Sequence, residues 1–317
     1  MTRVSAGAEG LVSEQMINYY RDFARGGFGL IITEGLYPDL AYSQGYQGQP
    51  GLATAAQAES WIALNHAVHA EGAGIIAQLM HAGALSQFNA YRDLTVGPSA
   101  VRPQGMQMGL YDGEGRYRTP LEMTKDDIDE VISGFVVAAK LAHASDFDGI
   151  EIHGANGYLL DQFLTADTNQ RSDRYGGGPE NRVRLICEVV AAVRQATSDE
   201  FVIGVRISQK KVNDDSHLWP EGETAARAIF NAIGESGADY IHTTEPDAVA
   251  PAFAGSSSLS SLAAGYSGLP VIANGGVQTA EQAEALLLEP QATLVSIGKA
   301  ALANPDWAQK VHQGMPL

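Results

Sequence analysis

Seven short apolar runs alternate with amphipathic helical segments along this chain, and that alternation limits the fold more than any other feature. The runs are 28–33 (FGLIIT), 74–80, 149–152, 201–207, 239–243, 270–273 and 293–297. A helix from about Ser13 sets Met16, Tyr19, Tyr20 and Phe23 on one face at i, i+3, i+4, i+7 and stops at Gly26-Gly27. Further helical patterns cover 55–70, 125–144, a stretch from near 179, 222–236, 279–288 and 305–313. Thr124 and Asp127 open the 125–144 helix as a capping box. Strands that are apolar throughout must be covered on both faces, so the expected sheet is parallel with helices on both sides. No break in composition marks a linker, and residues 1–317 read as one domain.

Two architectures fit such a pattern. An open doubly wound sheet is one, but no GxGxxG follows the first run. The other is a (β/α)8 TIM barrel, which requires one strand missing from the start. The strand ends favour the barrel. They finish on polar or glycine residues: Thr33-Glu34-Gly35, Gln78 to His81, His153-Gly154, Arg206 to Ser208, Thr243 to Glu245, Asn274 to Gly276 and Gly298-Lys299. A barrel's catalytic face needs polar groups there, and Gly-Gly then Gly-Lys on the last two strands suit its usual phosphate site.

Composition narrows the function classes. The 317 residues carry a formal charge of −17, which argues against nucleic acid or an anionic membrane as partner. Cys187 is the single cysteine, so no intrachain disulfide is possible, and its place beside Val183, Ile186 and Val190 on one helix face reads as core. The first residues lack the apolar segment of a signal peptide, and no run reaches the length of a membrane span, so a cytoplasmic protein is expected.

The segment HGANGYLLDQFL (153–164) carries the densest chemistry. His153, Asn156 and Tyr158 gather at the end of the 149–152 strand, with Gly154 and Gly157 permitting a tight turn. An imidazole and an amide can bind an electron-withdrawing oxygen while a phenol delivers a proton; the plain alternative is a capping turn with incidental polar groups. Arg206 is either a buried ion-pair partner of Glu151 or Glu245, or a cation facing the electron-rich edge of a reduced ring. Gln78 offers donor and acceptor together, as an imide edge needs. Lys299, with the amides of Gly275, Gly276 and Gly298, is a candidate phosphate grip. His66 and His69 lack the spacing of a metal site, no strand-end lysine suits a Schiff base, and no GxSxG is present.

These residues resemble the signature of the old yellow enzyme family. The match is carried by HGANGYLLDQFL, by NQRSDRYGG (169–177) with PENR (179–182), and by ITEG (32–35), AQLMHAG (77–83), PSA (98–100) and ANPDW (303–307). The resemblance covers essentially the whole chain and implies an FMN-dependent NAD(P)H oxidoreductase on a TIM barrel, reducing activated alkenes such as enones and nitroalkenes. It implies that Thr2 and Gly35 touch the flavin near O4, that Gln78 pairs with the pyrimidine edge and that Arg206 faces N1. Gly276, Gly298 and Lys299 would hold the phosphate, Lys299 standing for the family's usual arginine without its bidentate fork. His153 and Asn156 would bind the substrate oxygen, and Tyr158 would protonate Cα as hydride reaches Cβ. Thr2 and the His/Asn pair resemble the classical branch.

Three departures accompany the match. Met1-Thr2-Arg3 aligns with the end of the family's first strand, the chain stops at Met315-Pro316-Leu317 before the family's tail, and Met80 stands where relatives often have Trp. A chain truncated at both ends is therefore expected. The second reading is a catalytically incompetent barrel, or one that binds phosphate or phenols. The donor, NADH or NADPH, and the choice between monomer and homo-oligomer are not legible. In the 82–124 loop, Tyr91, Tyr111 and Tyr117 are candidate wall aromatics.

Overall fold

In the computed structural model, which describes residues 2–288 and 292–317, the apolar runs form one curled parallel sheet of seven strands. The strands are β1 (Leu30–Ile32), β2 (Gly74–Leu79), β3 (Gly149–Asn156), β4 (Val202–Lys211), β5 (Tyr240–Thr244), β6 (Val271–Asn274) and β7 (Leu294–Val295). Each pairs in parallel with the next in chain order. With helices between successive strands this is the (β/α) barrel arrangement, and β1 and β7 are the edges of the sheet among the described residues.

Local chemistry explains where the elements begin. Ser13 caps the helix Glu14–Arg25 by accepting the Met16 N–H. Capping boxes open Ala55–His69 at Thr54/Gln57 and Lys125–Ala144 at Thr124/Asp127, the latter as the sequence predicts. Lys125–Ala144 buries Ile128, Val131, Phe135, Ala138, Ala139 and Ala142 against the sheet. Apolar burial of this kind supplies most of what holds such a helix, at about 25 cal/mol per Å².

The structure corrects several boundaries. β3 runs on to Asn156 and β4 to Lys211, well past the predicted ends. Gly154 therefore lies within a strand rather than a turn, in a tightly packed place: a Cβ there would stand 3.0 Å from the Ile186 Cδ1 and 3.2 Å from the Arg206 carbonyl. Helices Leu159–Leu164, Leu259–Ser267 and Lys299–Ala303 were not anticipated. Serines dilute the periodicity of Leu259–Ser267, yet Ser258 caps its start and Gly268, in the left-handed conformation, ends it. Cys187 is half-buried, packed at the margin of the core, and burial pushes its thiol up to about 12.

Candidate active site

The turn that follows β3 is fixed from four directions. β3 shifts register against β4 between Gly154 and Asn156, and the chain then turns through Asn156 at φ 60° and Gly157 at φ 89°. The Asn156 N–H donates to Ser208 Oγ at 2.8 Å, and its carbonyl accepts from Val212 at 3.0 Å. The Gly157 N–H donates to Asp161 Oδ2 at 2.6 Å. Lys211 Nζ grips both Asp161 oxygens at 2.6 and 2.7 Å, and both side chains are buried. Gly157 combines a positive φ with crowding, since a Cβ would meet the Asn213 Oδ1 at 2.9 Å.

His153 and Tyr158 are brought together by this turn, with rings 5.1 Å apart and edge-on. His153 Nδ1 accepts the Ala155 N–H at 3.3 Å, which leaves Nε2 to carry the proton of a neutral ring. Burial, and then the Arg206 charge in register on β4, lowers its pKa to about 3. The ring is thus a neutral N–H donor throughout the physiological range. Burial also pushes the Tyr158 phenol above its ordinary value. Its hydroxyl meets that of Tyr46 at 2.7 Å. Asn156 sits half-buried in the same turn.

Tyr46 was missed by sequence reasoning. It lies in the glycine-rich loop SQGYQG (43–48), where no periodicity marks it, and it is fully buried. The Tyr111 ring lies tilted against it, centroids 4.5 Å apart, and its hydroxyl donates to the Thr2 carbonyl at 3.2 Å. Met80, Ala82, Leu85 and Tyr117 complete the apolar wall around Tyr158. Tyr91 is elsewhere, its hydroxyl 3.3 Å from that of Tyr37.

Beneath this wall lies a buried polar network centred on Glu151, which is 0 % exposed. Gln78 Nε2 donates to Glu151 Oε1 at 2.7 Å, while His242 Nδ1 and the Tyr240 hydroxyl donate to Oε2 at 2.8 and 3.0 Å. Arg206 Nη1 stands 3.1 Å from each nitrogen of His242, whose Nε2 is also 2.8 Å from Ser296 Oγ. Arg206 is therefore not the direct ion-pair partner of Glu151 or Glu245 that one sequence reading allowed. Burial raises the Glu151 pKa, but His242, the Arg206 charge and the Gln78 bond outweigh it and hold it down to about 2. Burial and Arg206 keep His242 low and neutral. Gly204 permits the arrangement, since any Cβ there would fall 2.0 Å from the Tyr240 ring.

The remaining candidates lie at neighbouring strand ends. Gly35 follows β1 against Met80, where a Cβ would meet Sδ at 2.7 Å. Thr2 is close by in the chain, since the Arg3 and Val4 N–H groups donate to Glu34 Oε2 at 2.7 and 3.2 Å. Gly275 and Gly276 leave β6 with φ of 152° and 67°, against the carbonyls of Glu245 and Pro246. Gly298 borders open space, and exposed Lys299 begins the short helix beyond β7, the strand paired with β6.

These features fit FMN. Gln78 retains Oε1 and one N–H for an imide edge, and Arg206 supplies a fixed cation. The Gly275-Gly276 turn and the open Gly298-Lys299 loop provide backbone and ammonium donors for a phosphate. Among the described residues no cluster of His, Cys, Asp and Glu has metal-binding geometry, and no helix is long and apolar enough to cross a membrane. His66 and His69 pair with Asp146 and Asp148, each at 2.9 Å, at the amino ends of the strands.

The chain is similar to known proteins. The model of the NADH:flavin oxidoreductase / NADH oxidase family matches residues 1–317. An NADH oxidase of Thermoanaerobacter brockii is 31% identical over 318 residues, covering 98% of this chain. The chain spans 47% of that relative's length. The 12-oxophytodienoate reductase 2 of Arabidopsis thaliana is 31% identical over 312 residues, 95% of this chain and 80% of its own. The structure of an old yellow enzyme homologue from Zymomonas mobilis superimposes with a TM-score of 0.87 at 31% identity, covering 100% of this chain and 88% of the other.

Proposed function

This chain belongs to the NADH:flavin oxidoreductase / NADH oxidase family, and from that premise we propose that it forms one FMN-binding unit that reduces activated C=C bonds at the expense of NAD(P)H. The substrate class is a small alkene conjugated to a carbonyl or nitro group. Gln78 and Arg206 hold the ring's pyrimidine side, with Thr2 and Gly35 at its margin, and Gly276, Gly298 and Lys299 hold the phosphate. FMN held by these residues would supply the hydride-transfer chemistry that links NAD(P)H to the alkene.

The chain's own residues supply orientation, polarisation and a proton. The His153 Nε2–H and the Asn156 amide bind the substrate's carbonyl or nitro oxygen. Negative charge that develops on that oxygen is stabilised by donors already fixed in place, which lowers the barrier without reorganisation. Because His153 stays neutral, it polarises the oxygen without competing as an acid. Tyr158 delivers its phenolic proton to the α-carbon, and Tyr46 steadies the phenol oxygen as charge builds there.

The observation that carries this reading is the pairing of a neutral His153, whose Nδ1 is already occupied, with the Tyr158 phenol across one rigid turn. The visible spectrum of the purified protein tests it. A flavin band near roughly 450 nm, bleached anaerobically by NADPH and restored by cyclohexenone, is the expected result. A colourless protein that cannot be reconstituted with FMN overturns it.

A further inference from the structure

We propose that Glu151 is a positioning residue for the flavin: it fixes which face of the Gln78 amide meets the ring and offsets the charge of Arg206. This rests on the reading that Gln78 and Arg206 hold the FMN ring. A carboxylate can only accept, so the Gln78 atom 2.7 Å from Glu151 Oε1 must be the amide nitrogen. Its Oε1 is therefore turned away from Glu151, and one N–H remains beside it. That is the acceptor-plus-donor edge an imide N–H and its flanking carbonyl require. Reversing the amide would set two acceptors against each other, so the orientation cannot relax while Glu151 is charged.

The same logic fixes His242. Nδ1 must donate to Glu151 Oε2, so a neutral ring presents bare Nε2 to the Ser296 hydroxyl, while Arg206 Nη1 packs against the ring 3.1 Å from both nitrogens. Arg206 is thereby held through His242 rather than by a direct ion pair. The full negative charge of Glu151 remains in the same low-dielectric interior and partly cancels the field of Arg206. Tyr240 completes the carboxylate's donors from across Gly204. Glu151 acts only through Gln78 and Arg206 and touches no reacting atom.

Glu151→Gln and Glu151→Asp test this, each compared with wild type by FMN titration of the apoprotein and by dye-equilibrated reduction potential. In Glu151→Gln the Gln78 amide turns over, so FMN affinity falls about tenfold or more, the worth of one mispaired hydrogen bond. The uncancelled Arg206 charge stabilises the electron-rich reduced ring, so the potential becomes more positive. Glu151→Asp keeps the charge but draws back from Gln78, so affinity falls while the potential stays at the wild-type value. Equal potentials in wild type and Glu151→Gln overturn the proposal, because a purely structural carboxylate alters stability and affinity alone. Wild-type FMN affinity in Glu151→Asp also overturns it, and that variant decides should Glu151→Gln fail to fold. A wild-type protein that binds no FMN defeats the parent reading, a different outcome from either of these.

Discussion

The hydroxyls of Tyr46 and Tyr158 lie 2.7 Å apart in the buried wall of the site, although 112 residues separate them in the chain. With Tyr46 as donor, the proton of Tyr158 is free to leave and the phenolate that forms keeps a partner. Tyr46→Phe removes that partner. The alkene-dependent reoxidation of the flavin should slow about tenfold, the value of one hydrogen bond to a developing charge, while reduction by NADPH is unchanged. Rapid-mixing absorbance of the two half-reactions separates the effects.

Burial raises Tyr158 and lowers His153, so neither group changes charge near neutrality. The reoxidation rate should therefore be flat from about pH 5 to about pH 9, with no limb at the ordinary tyrosine value of about 10. A titration near pH 6.5 in the alkene half-reaction contradicts the neutral His153.

Stability should fall on acidification in a defined window. An unfolded histidine takes up a proton at about 6.5, whereas folded His153 resists until about 3. Its contribution is complete above about pH 6.5 and is lost as pH falls toward about 3, because the unfolded state binds the proton first. His81, His217 and His242 are lowered by burial and add in the same direction. Glu151, held down to about 2, stabilises above the unfolded value and loses this as pH falls through its folded pKa. Calorimetry should show Tm declining below about pH 6.5, and His153→Asn should make that decline shallower.

Lys211 and Asp161 form a buried pair that holds Gly157 in the turn after β3. Lys211→Met leaves the carboxylate unpaired and should cost about 3–5 kcal/mol in urea unfolding. Asp161→Asn with Lys211→Met removes both charges and should recover much of that loss.

Lys299 supplies a point charge where a guanidinium could make two bonds. Lys299→Arg should tighten FMN binding severalfold and Lys299→Ala should weaken it, with no change in the alkene half-reaction of loaded enzyme. Fluorescence titration of the apoprotein with FMN measures both.

Much of this was legible in the sequence because of where the residues fall. Fully buried parallel strands are apolar along their length, so the runs that became β2 and β6 announced themselves, and polar residues at their ends marked the face that carries the candidate site. Partners across the barrel were not legible. Glu151 in GIEIHG, and Tyr240 and His242 in YIHTT, look like alternate residues of ordinary strands until curling brings them together. One of the two readings of Arg206 set it beside a carboxylate, whereas it stands against His242. Tyr46 reaches Tyr158 only because its loop folds over the strand ends. In the sequence Gly154 reads as a turn residue because glycine serves both turns and close packing, and the side chain packed against it, Ile186, lies 32 positions later.

The proton-donor role of Tyr158 is the central claim, and the two half-reactions of Tyr158→Phe test it most directly. Anaerobic bleaching of the flavin by NADPH should stay within about twofold of wild type, while reoxidation by cyclohexenone should slow at least about a hundredfold. Equal loss of both half-reactions, or no loss in the second, contradicts the account.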